Sequence, residues 1–379
     1  MSKIWWKKST DLDEDQKRVL NLSPDGKHLV TGPPGSGKSN LLLLRAKYLL
    51  SMGKQDFRVL AFNQTLVRFL RAGKGVPDDK IVTALSWLEK QLWDLEGRKI
   101  DEPTLEKKRH TLCETLLRHL QQNKKQGLIH TLLIDEIQDY STTEIELFSE
   151  IAENLFLVGD IRQQVYATDT THQTLEQMSS RFNVVELEMH YRIGRKICAL
   201  ADRIAKPSKG HKQISQGCRY NELKNESTID VSKLSLPHQL TKIAERIENQ
   251  LEVFPDEFIG VLCPTHEVLD AVAGNLKRSL GLVVCVQRSD DYQDFDIKRP
   301  VIISTIHSGK GLEYRCVHIP SAEALKKVPR SRELIYTAVT RAKTAVAIYH
   351  DESMNDFLED ALRAAMPPIA PPSIDSLFE

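Results

Sequence analysis

Short apolar runs recur along the first half of the chain, at 28–31, 58–62, 80–84, 131–134, 155–158 and 184–187, and helical apolar periodicity lies between most of them. Runs of that length suit strands buried on both faces, and the spacing between them is that of amphipathic helices. Their alternation predicts a mainly parallel sheet with helices on both faces. A second series opens near residue 191, with strands expected at 258–263, 282–286, 301–304, 316–319 and 345–349. The pattern therefore predicts two α/β units in tandem, divided near 188–195.

Two segments break the alternation. Leu105, Leu112, Cys113, Leu116, Leu117 and Leu120 give residues 86–125 the pattern of a helical hairpin laid on the first unit. Residues 207–236 are rich in Lys, Ser and Asn and read as a loop or small excursion. The end, MPPIAPPSIDSLFE from 366 to 379, is Pro-rich and expected to be an unpacked tail.

Composition narrows the classes. With 379 residues the chain is long enough for two or three domains. Lys and Arg number 52, as do Asp and Glu, so no global basic field advertises nucleic acid and any such contact needs a local groove. The six cysteines form no CxxC pair, which points away from zinc and from a disulfide scaffold, and towards a reducing cytosol. No apolar run has the length of a membrane span, and the opening MSKIWWKK lacks a signal-peptide core, so a cytoplasmic protein without a membrane partner is expected.

GPPGSGKS at 32–39 fits G-x4-G-K-[ST], after a strand and before an apolar helical run. In this pattern Gly32, Gly35 and Gly37 let backbone N–H groups close around phosphate oxygens, with Pro33 and Ser36 expected in the same nucleotide-binding loop, and the helix N-terminus adds its dipole. Lys38 would reach the β and γ phosphates, and Ser39 would ligate Mg²⁺. The strand at 131–134 runs straight into Asp135 and Glu136. Desolvated carboxylates cost several kcal/mol unless paired or bound to a cation. With a phosphate loop upstream, that cation is expected to be Mg²⁺ held by Ser39 and Asp135 with ATP, and Glu136 is expected to activate the attacking water.

At this point the chain resembles the superfamily 1 helicases of the UvrD/Rep type, and the resemblance runs through most of its length in the family's order. LDEDQ at 12–16 is similar to the adenine-reading glutamine motif, and VLAFNQTLVRFL at 59–70 to a strand-contacting segment. TALSWL at 83–88, DEIQD at 135–139, GDIRQQVY at 159–166 and HYR at 190–192 follow. TIHSGKGLEYRCVHI at 305–319 and LIYTAVTRAK at 334–343 complete the series.

The resemblance implies two tandem RecA-like P-loop domains, at 1–190 and 191–365, with a small helical insertion in the first and a flexible tail at 366–379. It implies Gln16 on the adenine, Tyr191 stacked against it, and Asn40, Gly311 and Glu313 at the nucleotide, Glu313 on the ribose. Gln163 would sense the γ-phosphate, and Arg192 and Arg341 would be arginine fingers. Phe62, Asn63, Thr305 and His307 fall in the segments that touch a nucleic-acid strand. The implied activity is ATP hydrolysis coupled to movement on single-stranded DNA, with RNA second to DNA, and a 3′-to-5′ polarity rests on the resemblance alone.

Three departures qualify this. The large insertions of the family are cut to about 40 residues near 86–125, which puts duplex unwinding in doubt. Ala167, Thr168 and Asp169 stand where relatives carry a base-stacking aromatic, leaving Trp87 as the candidate platform, with core packing as its alternative reading. Asn40 stands where relatives often carry an Arg against the adenine. A second functional class follows: a nucleotide-dependent switch or regulatory ATPase subunit of a nuclease, DNA-repair or anti-phage complex. The terminal IDSLFE resembles peptides that dock on bacterial sliding clamps, so a protein partner such as a clamp or a nuclease is one expectation for the tail.

Overall fold

A computed structural model describes residues 12–73, 75–123, 128–160, 181–205, 213–287 and 299–365. The expected α/β architecture is present as two six-stranded sheets flanked by helices. The first half runs α1 (Glu14–Leu20), β1 (Lys27–Thr31), α2 (Lys38–Ser51), β2 (Phe57–Ala61), α3 (Gln64–Ala72), β3 (Ile81–Thr83), α4 (Ala84–Glu96) and α5 (Leu105–Asn123). It continues with β4 (Ile129–Ile134), α6 (Thr142–Ile151), β5 (Ala152–Gly159) and β6 (Asn183–Glu186). The strand order is β3-β2-β4-β5-β1-β6, with every ladder parallel.

The second half runs α7 (Arg195–Ile204), β7 (Thr228–Lys233), α8 (Leu236–Val253), β8 (Ile259–Cys263), α9 (His266–Leu280) and β9 (Val284–Gln287). Then come β10 (Val301–Thr305), β11 (Tyr314–Ile319), α10 (Ser331–Thr340), β12 (Ala342–His350) and α11 (Asp356–Ala365). The order is β7-β12-β11-β8-β10-β9, again with parallel ladders. Parallel pairing puts the carboxyl ends of all strands in a sheet on one edge, where open α/β sheets bind ligands.

The polar stretch read as a loop contains β7, which corrects that expectation. TIDVSK pairs along β12 as an edge strand, half exposed, so it lacks the apolar run that marks a central strand. The helical hairpin is formed by α4 and α5, with Leu112, Cys113, Leu116 and Leu120 buried. Its anchor is polar: Arg109 of α5 grips buried Glu144 of α6 through Nε and one terminal guanidinium nitrogen at 2.6–2.9 Å. Glu144 also closes a capping box with Ser141, so one carboxylate starts α6 and locks α5 to it.

Three apolar clusters hold the layers. One lies between the first sheet and α4–α6, and one between the second sheet and α8–α9. The third is shared: Leu66 and Leu70 of α3 belong to the same buried group as Ile306 and Leu312 after β10. A Cβ on Gly311 would meet Leu66 Cδ1 at 3.0 Å, so the loop after β10 lies directly on α3. No described helix is long and apolar enough to cross a membrane.

Candidate functional site

The loop between β1 and α2 takes the shape its glycines allow. Gly35 and Gly37 have φ of +78° and +89°, which L side chains rarely adopt. Space forbids a side chain as well. A Cβ at Gly35 would stand 2.9 Å from Arg192 Cβ, and one at Gly37 would stand 2.9 Å from Gln16 Nε2. Lys38 Nζ donates to the carbonyls of Gly32 and Pro33, both at 2.9 Å, which folds the lysine over the loop. Gln16, buried within the capping box of α1, donates to Ser36 O at 2.7 Å. It therefore props the loop as well as lining the cleft beside it.

Asp135 and Glu136 leave β4 at the carboxyl edge. The Ser39 hydroxyl bonds the Asp135 carboxylate. Asp135 Oδ2 is buried and has no protein partner, as does Ser36 Oγ nearby in the loop. An orphaned carboxylate oxygen beside a serine hydroxyl, in a pocket that already holds a lysine, is the donor set a magnesium ion with phosphates would complete. Burial and the charge of Glu136 push the Asp135 carboxyl up to about 7 when no cation shares the site. Glu136 has φ 52°, left-handed for a residue with a side chain. Burial pushes its carboxyl up, but Lys310, Arg341 and Lys38 outweigh that and hold it ionised, below the usual range. Gln138 steadies it, donating to Glu136 Oε2 and accepting from Asp160 N at 3.0 Å.

The opposite wall comes from the second half. Arg192 lies against Gly35, ion-paired to Glu313. Burial first, and then the neighbouring Arg341, pull its pKa down to about 9. Arg341, buried at the end of α10, donates to Thr337 O at 3.4 Å. Tyr191 N–H reaches Gly35 O at 3.4 Å, and burial and a hydrogen bond to Asp13 push its phenol up to about 12.

Between these walls lies a cleft of about 310 Å³ lined from both halves, by Gln16, Lys38, Ser39, Asn40, Asp135, Glu136, Tyr191, Arg192, Gly311, Glu313 and Arg341. Lys310 and Asp139, 3% and 1% exposed, form a buried ion pair between the two halves. Glu313, expected on a ribose, has Arg192 as its partner here. Gln163 lies outside the described residues, as does the tail.

Among the cleft residues that escaped the sequence reading are Tyr220, Glu257, Arg315 and Lys343. Glu257 pairs with Arg315 and Lys343, and Tyr220 bonds Thr344 at 2.7 Å. Arg315 and Lys343 stand inside the GLEYR and TRAK segments, so a signal existed. Glu257 and Tyr220 carry none.

The strand-contact candidates fare unevenly. Asn63 caps α3, accepting from Leu66 N at 2.8 Å. Thr305 is buried and accepts from Ser308 N at 3.2 Å, shaping the turn after β10. His307 is half-buried, its pKa lowered by burial and Lys310. Phe62 is half-buried with Arg109 4.3 Å over its ring. Trp87 requires a correction. It is 5% exposed within the α4–α6 core, so it offers no face to a base, because α4 turns its apolar side onto the sheet.

Comparison with known proteins follows the two walls. Residues 11–222 match the family described as AAA domain, and residues 300–349 match the UvrD-like helicase C-terminal domain. Comparison with the curated proteins returns no match. Among solved structures, the chain is similar to the C-terminal domain of a possible DNA helicase from Lactobacillus plantarum WCFS1. The identity is 18% and the TM-score 0.33, over 46% of this chain and 96% of that one. It is also similar to PRRSV helicase, at 14% identity and a TM-score of 0.40, over 89% of this chain and 54% of that one. The chain thus spans about half the length of the latter.

Proposed function

Since this chain belongs to the AAA-domain family and carries a UvrD-like helicase C-terminal domain, a helicase-like ATPase, we propose that it is a motor that hydrolyses ATP to ADP and phosphate and moves on single-stranded DNA. The observation that carries this reading is the two-sided cleft. Glu136 from the first sheet meets the charges of Lys310 and Arg341 from the second, so the site is whole only when both halves meet. We divide the chain accordingly at 190/191 into two RecA-like domains.

In this reading Ser39 and Asp135 hold Mg²⁺, which would neutralise phosphate charge, and Lys38 moves from its two carbonyls to the phosphates. Glu136 takes the proton of the attacking water, for which an ionised carboxylate is required. Arg192 and Arg341 stabilise charge developing on the γ-phosphate, and Arg192 exchanges Glu313 for phosphate oxygen as it does so. Gln16, Tyr191 and Asn40 surround the base. Phe62, Asn63, Thr305 and His307, assigned by family resemblance, would meet the strand, and the 3′-to-5′ direction is carried over from the family.

The test is ATP turnover with and without oligo-dT, and with oligo-rU. Strong stimulation by oligo-dT is expected. Lys38→Ala, Glu136→Gln and Arg341→Ala should each lower turnover about 100-fold or more, and near-native turnover in any of them removes that residue from its role. The burial of Trp87 favours one second reading. Without that platform the grip on a strand weakens, and a regulatory ATPase subunit becomes the alternative. Turnover that ignores oligonucleotides and rises only with a protein partner would support it.

A further inference from the structure

Just behind the segment that carries Tyr191 and Arg192, three buried side chains converge that the ATPase reading does not use. His190 and Cys198 are fully buried and Cys218 is 4% exposed. Their candidate ligand atoms all lie within 4.8 Å of one another. Backbone pairing brings two of them together: His190 bridges Cys218, with His190 N donating to Gly217 O at 3.0 Å and Arg219 N to His190 O at 2.8 Å. Cys198, in the first half of α7, completes the group from a third segment. The Ile193 carbonyl accepts from both thiols, at 3.4 and 3.3 Å.

We infer that His190, Cys198 and Cys218 form a binding site for a thiophilic divalent cation of the zinc class, which fastens the Tyr191–Arg192 segment to α7. The distances support it. A tetrahedral zinc with bonds of about 2.3 Å to sulfur and about 2.0 Å to nitrogen holds those two atoms about 3.5 Å apart. Cys198 Sγ lies 3.7 Å from His190 Nε2. Charge supports it too. Two thiolates and one divalent cation make a neutral complex, which suits full burial. Binding releases the two thiol protons to solvent and moves the imidazole proton from Nε2, where it faces Ile214 O at 2.8 Å, to Nδ1.

This goes against the expectation drawn from the missing CxxC pair. That expectation looks for ligands close in sequence, whereas these come from three segments joined by the fold. The other four cysteines lie singly in α5, β8, β9 and β11, packed as small apolar groups.

The test is the metal content of the full chain, expressed with zinc in the medium and purified without chelator, followed by exchange with cobalt. About one zinc per chain is expected, with thiolate-to-cobalt charge-transfer absorption after exchange. Cys198→Ser and Cys218→Ser should each lose the metal and that absorption, while Cys113→Ser keeps both. Zinc well short of stoichiometric with no charge-transfer band on cobalt addition to the native chain overturns the inference. So does metal retained by a Cys198→Ser/Cys218→Ser double variant, or a Cys198–Cys218 disulfide found by mass spectrometry. Should the serine variants fail to fold, the cobalt titration of the native chain decides alone. None of these readings depends on ATP turnover.

Discussion

Replacing Lys310 by Met would remove the cation of the ion pair that spans the two halves. Both partners are nearly inaccessible, Lys310 at 3% and Asp139 at 1%. Taking one partner from a buried pair costs about 3–5 kcal/mol, because the other charge stays desolvated. Here the cost falls on the state in which the halves meet, since an open cleft would hydrate Asp139. A penalty of that size shifts a closed-to-open ratio roughly 10²- to 10⁴-fold.

Asp139 has one escape, protonation. Burial, opposed by Lys310 and aided by Glu136, sets its carboxyl at about 6. The folded chain thus binds this proton more tightly than the unfolded chain does. The associated stability is full below about pH 4 and lost as pH rises through about 6. Removing Lys310 raises the carboxyl further, so the variant's opening should be small at acid pH and large at pH 8. The assay is the distance between spin labels on exposed Glu106 and Lys277, one on each half, at both pH values. Lys310→Met should lengthen it, and adding Asp139→Asn, which needs no cation, should restore it. A native distance in Lys310→Met, or a double variant no closer than the single, refutes the reasoning.

Other outcomes follow from the same accounting. Arg109→Ala strands buried Glu144 and should cost about 3–5 kcal/mol in urea unfolding, eased by adding Glu144→Gln. Trp87→Ala should cost about 3–5 kcal/mol of stability while leaving the oligo-dT affinity of the folded protein unchanged; weaker binding without lost stability would restore Trp87 as a platform. Deleting residues 373–379 should spare ATP turnover, and a fall in turnover would mean that the tail packs on the core.

What could be read from the chain was whatever repeats in short windows. Apolar runs located the central strands because a parallel strand buried on both faces has few polar residues to blur it. β7 escaped because an edge strand is half polar by necessity. The loop at 32–39 was legible since its glycines, lysine and serine are adjacent in sequence. Glu257 was not, because its role comes from Arg315 and Lys343, far along the chain, and no local pattern marks a carboxylate that will meet them. Trp87 misled for the same reason. An aromatic inside a helical period fits a core and a stacking platform equally, and only the direction of α4 decides.

The charges of the cleft explain why its halves belong together. Arg192, Arg341, Arg315 and Lys343 crowd the second wall, with Glu313 and Glu257 as its carboxylates. Arg192 and Lys343, both desolvated, have pKa values that fall to about 9 and about 8. Burial comes first in both, and a neighbouring guanidinium adds to it. On the first wall Asp135 is pushed the other way, to about 7, by burial and by Glu136. Each wall alone is thus frustrated. A polyphosphate with a divalent cation relieves both at once, anion to the arginines and cation to the carboxylates. Energy released on relief is available to draw the halves together, and splitting the polyphosphate removes it. On the proposed ATPase reading, a cleft built from such opposed charges would couple nucleotide state to the spacing of the halves without any further device.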